Sequence, residues 1–211
     1  RQRQMCIRDR MYLVPHCHWT VRYNDMRFFM GFAAFLDRDG VINAEVNYLH
    51  EPDKVVILPG VAEALRMIRE RGYRVIVVTN QAGVAKGYYG ESDIDAVHRR
   101  IDEILAAEGA KVDEYFYCPH HPQFTGECDC RKPSPGMLLE AAEKFGIDCA
   151  GSFMVGDRLS DVEAGVRAGC SRSFLVRSGY GETVIAEQDV SGIEIADDLL
   201  DAVRMFFAGQ E

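Results

Sequence analysis

The sequence predicts an α/β fold, a three-layer, doubly wound, mostly parallel sheet of Rossmann-like type. Two features predict it. Short apolar, β-branched runs alternate with longer amphipathic stretches, the pattern of strands joined by helical crossovers. Acids, a hydroxyl and a lysine fall just behind those runs, at the strand ends where open α/β sheets carry their sites.

Residues 32–36 (FAAFL) read as a buried strand halted by Asp37 and Gly40. Pro59-Gly60 leads into a helix over 61–71, apolar at Val61, Leu65 and Ile68 and stopped by Gly72. Residues 74–79 (RVIVVT) form a second buried strand. Ser92 with Asp95 opens an amphipathic helix over 93–108, closed by Gly109. A third strand at 113–117 runs into a loop at 118–135 rich in Cys, His and Pro. A helix at 136–145, a strand at 152–155, a helix at 161–168, a strand at 173–176 and a closing helix at 197–207 follow. There is no internal repeat.

The chain of 211 residues can bury one full core, and its 47% hydrophobic and 27% charged content is ordinary for a globular protein. A net charge of −9 argues against nucleic-acid and anionic-membrane surfaces, which need basic patches. No stretch reaches the ~18 apolar residues of a membrane span. Residues 1–29 look like a disordered or non-native extension without secretory pattern, and Met26 or Met30 would suit as the start of the folded part. His16-Cys17-His18 within it lacks partners for a metal. Of seven cysteines, Cys6 and Cys17 lie there, Cys149 and Cys170 read as buried thiols, and Cys118, Cys128 and Cys130 cluster. An odd count without a secretion signal points to a reducing cytoplasm, where clustered cysteines mean metal more often than disulfide.

Asp37 and Asp39 follow the strand directly and Gly40 comes next, so a curl of the chain beyond Asp37 would bring both carboxylates to one substrate. One carboxylate then attacks while the other handles protons, as phosphoryl transfer through an aspartyl intermediate requires. Thr79-Asn80-Gln81 follows the second strand, Arg131-Lys132-Pro133 the third, and Gly156-Asp157-Arg158 with Asp161 the fourth. In a parallel sheet all four segments emerge at one edge. A phosphate nearing a carboxylate meets ~4 kcal/mol of repulsion per charge pair at 4 Å and an effective dielectric near 20. The site therefore needs cations: a hard divalent ion, Mg²⁺, held by Asp37 and Asp157, and Lys132 as further positive charge. Thr79 would donate to a phosphoryl oxygen, and Asp161 would orient Lys132 or a metal-bound water rather than bind the metal. Asp39 must arrive protonated to serve the leaving oxygen, which closeness to Asp37 favours by raising one of the two pKa values. Cys118 and Cys128-x-Cys130, with His120 or His121, match a closed tetrahedral Zn²⁺ site, structural because no position is left open.

These segments resemble the four motifs of the haloacid dehalogenase superfamily of aspartate-nucleophile phosphatases. FLDRDGVIN, VVTNQAGVAKG, CPHHP with CDCRKPSPGM, GDRLSDVEAGVRAGC and VRSGYGE resemble the heptose bisphosphate phosphatases within it, with histidinol-phosphate phosphatases as neighbours. The resemblance runs from about residue 32 to the C-terminus and implies a single phosphatase domain over 30–211. It implies the backbone carbonyl of Asp39 as a third Mg²⁺ ligand and His120 as the zinc ligand. It implies substrate contacts from the segment Glu45–Tyr48, Asn47 included, and from Arg131; Thr79, Asn80, Gln81, Lys132 and Arg158 are further candidate substrate-binding residues. Arg131 could grip a second, non-reacting phosphate in bidentate fashion. The short spacing between the ligand pairs is nearer the histidinol-phosphate enzymes, whereas Pro135-Gly136-Met137 and Gly179-Tyr180-Gly181 favour the heptose side. The expectation is a cytoplasmic, monomeric, Mg²⁺-dependent phosphatase removing the C7 phosphate of a heptose 1,7-bisphosphate. The alternatives are a histidinol-phosphate phosphatase and a non-catalytic zinc-loop binding module.

Overall fold

β-branched and aromatic residues concentrate in six short segments, and the computed structural model, which describes residues 31–209, pairs them into one parallel sheet. The strands are β1 (Ala33–Leu36), β2 (Arg74–Asn80), β3 (Glu114–Cys118), β4 (Phe153–Gly156), β5 (Arg172–Val176) and β6 (Glu194–Ala196). Their order is β3-β2-β1-β4-β5-β6, every pair parallel. The helices are α1 (Val61–Glu70), α2 (Glu91–Ala107), α3 (Gly136–Phe145), α4 (Leu159–Ala168), α5 (Gly181–Glu187) and α6 (Leu199–Ala208), with a single turn at Pro122–Thr125. The extension, His16-Cys17-His18, Cys6 and Cys17 lie outside the described residues.

Alternation along the central strands builds both faces of the core. Ala34 and Leu36 of β1, Val75 and Val77 of β2, and Phe153 and Val155 of β4 pack with α1, α2 and α6. Ala33, Phe35, Ile76, Val78 and Met154 pack on the other side with Met137, Leu138 and Ala141 of α3 and Ala164 of α4. Strands covered on both sides read as unbroken apolar runs, as β1 does. The Tyr73 ring meets Phe153, Phe206 and Phe207 edge-on or tilted, fixing α6 against the sheet.

Chain order reverses beside β1: β2 and β3 build outward on one side, and β4, β5 and β6 on the other. The C-terminal ends of β1 and β4 therefore border a topological switch point, where the crossovers leave a crevice. β6 and α5 carry no signal strong enough to be expected from sequence. β6 is a three-residue edge strand, and α5 starts at a glycine. The long helix α2 begins at Glu91 because Gly90 is its cap. The Gly90 N–H donates to Asp93 Oδ2 at 2.8 Å, so Ser92 and Asp95 do not open it.

Candidate active site

Asp37 is the first residue beyond β1, and its N–H donates to Val155 O of β4 at 2.9 Å. Beyond it the chain curls. Ile42 and Asn43 donate to Arg38 O at 2.9 and 3.1 Å, and Gly40, at φ +83°, donates to Asn43 O at 2.8 Å. That curl brings Asp37 and Asp39 into one cavity of about 350 Å³, lined also by Glu45, Asn47, Tyr48, Thr79, Asn80, Gln81, Arg131, Lys132 and Arg158. The positions named from sequence at four strand ends thus converge, with Asp157 buried beside them.

Lys132 organises the floor. Its ammonium donates to Asp37 Oδ1 and Val78 O, both at 2.7 Å, and pairs with Asp161 Oδ1 at 2.7 Å. Three N–H groups meet three acceptors, so Lys132 presents its charge to an incoming anion and has no spare donor. Asn80 fixes its backbone from both sides: Lys132 N donates to Asn80 Oδ1, and Asn80 Nδ2 to Lys132 O, each at 3.1 Å. The Lys132–Pro133 peptide is cis. Asp161 Oδ2 accepts from Arg158 N at 3.0 Å, so both its oxygens are engaged and it orients Lys132.

Asp39 is held by donors alone. Arg38, wholly buried, reaches it from Nε and Nη2, and Asn43 Nδ2 and Gln81 Nε2 add 2.9 and 3.1 Å bonds. Gln81 Nε2 also donates to Thr79 Oγ1 at 2.9 Å, and Tyr89 donates to Gln81 Oε1 at 2.7 Å, locking the amide's orientation. Behind Arg38 lies His98, Nε2 3.5 Å from Nη1, its imidazole stacked on Tyr115 at 4.1 Å. Burial and then the Arg38 charge hold His98 down to about 3, so it is neutral at physiological pH.

Asp157 shows what the floor lacks. Oδ2 accepts from Tyr180 N at 2.8 Å, but Oδ1 is buried with no hydrogen-bond partner. Gly40 and Gly179 press on this carboxylate; a Cβ at either would lie 2.3 or 2.2 Å from Oδ2. Burial, then the charges of Asp37 and Asp161, raise Asp157 to about 8 against the Tyr180 N–H and Arg158. Burial likewise raises Asp37 to about 7, opposed by Lys132 and reinforced by Asp161 and Asp39. Carboxylate oxygens of Asp37, Asp157 and Asp161 lie within 4.8 Å of one another. An orphaned buried oxygen among clustered carboxylates fits a hard divalent cation, with Asp37 and Asp157 as its side-chain ligands.

In the second cluster, Sγ of Cys118, Cys128 and Cys130 and Nδ1 of His120 lie within 4.8 Å of one another. The resolved edges are 2.8 Å (Cys118–Cys130), 3.6 Å (Cys118–Cys128), 3.5 Å (Cys128–Cys130), 3.3 Å (His120–Cys130) and 3.7 Å (His120–Cys118). A tetrahedron of ~2.3 Å metal–sulfur bonds has edges of about 3.8 Å, so four of the five edges are close to what zinc needs. Burial and the neighbouring thiols push the Cys118 thiol up, which a bound cation would reverse. His121 takes another part: its Nδ1 accepts from Gln123 N at 3.3 Å and caps the Pro122–Thr125 turn. Desolvation, then the charges of Arg131 and Lys86, hold its imidazole below the ordinary value. Arg131 Nη1 donates to His120 O at 3.2 Å, which ties the cavity wall to the sulfur cluster.

Sequence reasoning missed Arg38, Asn43, Lys86, Tyr89 and Tyr180. Lys86 lines the cavity and its ammonium reaches the Tyr48 hydroxyl. The Tyr180 ring lies 3.8 Å from the Arg158 guanidinium. Four of the five sit inside quoted motifs and Tyr89 lies two residues beyond one, but nothing in spacing distinguishes an isolated loop residue that faces a cavity from one that faces solvent.

A family model described as HAD-hydrolase-like matches residues 129–202. D-glycero-beta-D-manno-heptose-1,7-bisphosphate 7-phosphatase of Escherichia coli K12 is 44% identical over 160 residues, 74% of this chain and 84% of that protein. The chain belongs to the haloacid dehalogenase superfamily, in its heptose bisphosphate phosphatase family. The Haemophilus influenzae relative of the same name is 42% identical over 178 residues, 82% of this chain and 94% of that one. A Photorhabdus laumondii relative named for the alpha anomer is 45% identical over 152 residues, 70% of this chain and 83% of its own. Among solved structures, D,D-heptose 1,7-bisphosphate phosphatase from B. bronchiseptica, complexed with magnesium and phosphate, superposes with a TM-score of 0.77. It is 34% identical and covers 85% of this chain and 99% of its own. No helix among the described residues is long and apolar enough to cross a membrane.

Proposed function

We propose that this chain is a Mg²⁺-dependent phosphatase, a single domain over residues 30–211, that hydrolyses the C7 phosphate of D-glycero-D-manno-heptose 1,7-bisphosphate through an aspartyl phosphate on Asp37. The observation that carries the reading is the floor of the cavity. Asp37 is fixed by Lys132 beside the unpartnered Oδ1 of Asp157, at the switch point of the sheet. The relatives' names supply the sugar and the position of the phosphate.

Mg²⁺, held by the Asp37 and Asp157 carboxylates and the Asp39 backbone carbonyl, would offset the charge repulsion between phosphate and nucleophile. Lys132 adds a fixed positive charge, and Thr79 donates to a phosphoryl oxygen. Asp37 attacks phosphorus in line; the bond to the C7 oxygen breaks, and Asp39 hands that oxygen a proton. Asp39, now a carboxylate among the donors of Arg38, Asn43 and Gln81, takes a proton from the water that splits the aspartyl phosphate. Each turnover therefore returns Asp39 protonated, and the net reaction consumes one water.

Glu45, Asn47 and Tyr48 on one wall, and Asn80, Gln81, Arg131 and Arg158 around the floor, would hold the sugar and its far phosphate. Zn²⁺ on Cys118, His120, Cys128 and Cys130 is structural, since four protein donors leave no open position. The reading as a cytoplasmic, monomeric enzyme accompanies this function. A non-catalytic module has no use for a buried Lys132–Asp37–Asp161 cluster.

The test is turnover with added Mg²⁺ of heptose 1,7-bisphosphate against histidinol phosphate, with Asp37→Asn alongside. The bisphosphate should be far preferred, and Asp37→Asn should abolish turnover while keeping fold and zinc content. Preference for histidinol phosphate would overturn the substrate, and an active Asp37→Asn the covalent mechanism.

A further inference from the structure

Lys86 is a cation of the cavity to which neither the chemistry at Asp37 nor the sugar contacts named above give a part. Lys86 sits in the loop between β2 and α2, half-buried, and lines the cavity. Its ammonium contacts the Tyr48 hydroxyl and lies 4.9 Å from the centre of that ring; no carboxylate among the described residues pairs with it. A lysine turned inward over an aromatic face, without a counter-charge, is a positive charge awaiting an anion.

The surroundings confine that anion to the outer wall. Lys132 is committed to Asp37, Asp161 and Val78, and the Arg158 guanidinium lies on Tyr180. Arg131 spends one N–H on His120 O and keeps the rest of its fork. Lys86, His121 and Arg131 all line the cavity, and the charges of Lys86 and Arg131 both act on the His121 imidazole. Tyr48 is held at φ +57°, a conformation that a bulky residue rarely adopts. Its ring meets Tyr88 edge-on at 4.8 Å and Lys86 from the other loop. Strain of this kind persists where neighbouring contacts over-determine it, as they do here, and it directs Tyr48 at Lys86.

We propose that Lys86, set by Tyr48 and acting with Arg131, is a specificity-determining residue that binds the non-reacting phosphate and makes the enzyme prefer a sugar bisphosphate over the corresponding monophosphate. This rests on the heptose bisphosphate reading and adds to it a residue and a role. A substrate whose far end is an ammonium would meet like charge at this wall, so the same residue disfavours aminoalkyl phosphates such as histidinol phosphate.

The experiment measures kcat/KM of the wild type, Lys86→Met and Lys86→Arg on heptose 1,7-bisphosphate and on heptose 7-phosphate. The 7-phosphate carries the same reacting end without the second phosphate. Lys86→Met should shrink the bisphosphate-to-monophosphate preference by about ten- to a hundredfold, the worth of a charge-assisted hydrogen bond, with most of the loss in KM. Lys86→Arg should keep most of the preference. An unchanged preference in Lys86→Met, whether both substrates suffer equally or neither does, overturns the proposal. If the wild type does not turn over the bisphosphate, the underlying reading fails instead, and the two failures are told apart by the wild-type measurement alone.

Discussion

Replacing Lys132 with methionine keeps the length and apolar stem of the side chain and removes only its charge and three donors. In the wild type those donors meet Asp37 Oδ1, Asp161 Oδ1 and Val78 O at 2.7 Å each, and the side chain is almost entirely buried. Removing one partner of a buried ionic cluster destabilises by about 3–5 kcal/mol, because the charges left behind have no compensation. Where in that range the loss falls depends on pH. Asp37 titrates near 7 in the fold against 3.8 as its ordinary value, so the folded state binds more protons than the unfolded state between those limits. Stability from this group is therefore present at low pH and lost as pH rises through that window, until Asp37 is ionised in both states. Without the Lys132 charge the Asp37 pKa rises further, and the decline due to Asp37 continues above pH 7, where its wild-type contribution fades; Asp157, at about 8 in the wild type, adds its own decline to both proteins. At about 1.4 kcal/mol per pH unit, the gap between variant and wild type should widen by ~2 kcal/mol from pH 7 to 8.5.

Urea unfolding without added Mg²⁺ at those two pH values is the assay. A loss near 3 kcal/mol at pH 7 that grows toward 5 at pH 8.5 is the expected outcome. Adding Asp161→Asn to Lys132→Met should recover part of it, since one stranded carboxylate disappears, and the two sites should couple by ~1 kcal/mol or more. A loss below ~1 kcal/mol at pH 8.5, or one that shrinks as pH rises, would refute the idea that Lys132 is the counter-charge of the site.

Mg²⁺ must displace protons from Asp37 and Asp157, raised to about 7 and about 8, so its apparent affinity should climb between pH 6 and 8 and level off above. Calorimetry in buffers of different ionisation heat should report proton release over that range and little above it. Gly179→Ala puts a methyl 2.2 Å from Asp157 Oδ2 and 2.6 Å from Gly40 Cα at φ +59°. We expect ~1–3 kcal/mol lost in urea unfolding together with weaker Mg²⁺ binding; a variant with wild-type metal affinity would contradict the packing argument. Cys128→Ser should lower zinc content measured by elemental analysis and reduce turnover, although residue 128 does not line the cavity. An unchanged zinc content would remove the structural-zinc proposal.

How much of this was legible in the sequence follows from which forces leave a periodic trace. Strands buried on both faces produce unbroken apolar runs, so β1, β2 and β4 and the polar residues behind them could be placed without coordinates. β6 could not, because three edge residues, two of them half-exposed, leave no run, and α2 begins one residue ahead of Ser92 because a glycine backbone supplies its cap. Arg38 is the instructive miss. A charged residue between two acids reads as solvated, yet it is fully buried, because the curl that lets Asp37 and Asp39 share a cavity turns the intervening side chain inward. There the guanidinium satisfies Asp39 and meets a neutral His98. Curl and buried arginine are one solution to one constraint, visible only when both acids are followed into the same space.

The same logic connects the sulfur cluster to catalysis. Arg131 and Lys132 directly follow Cys130, and little apolar surface holds the loop between Cys118 and Pro135, since Phe124, its largest apolar side chain, is exposed. What fixes those cations is the Asn80 clamp on one side and the Cys–His cluster on the other, with Arg131 tied to His120 O. Asn80 belongs to a rigid central strand and the cluster to a loop. The loop therefore needs a bond stronger than packing to hold a buried ammonium 2.7 Å from Asp37, and a closed metal site would supply such a bond without adding reactive chemistry of its own.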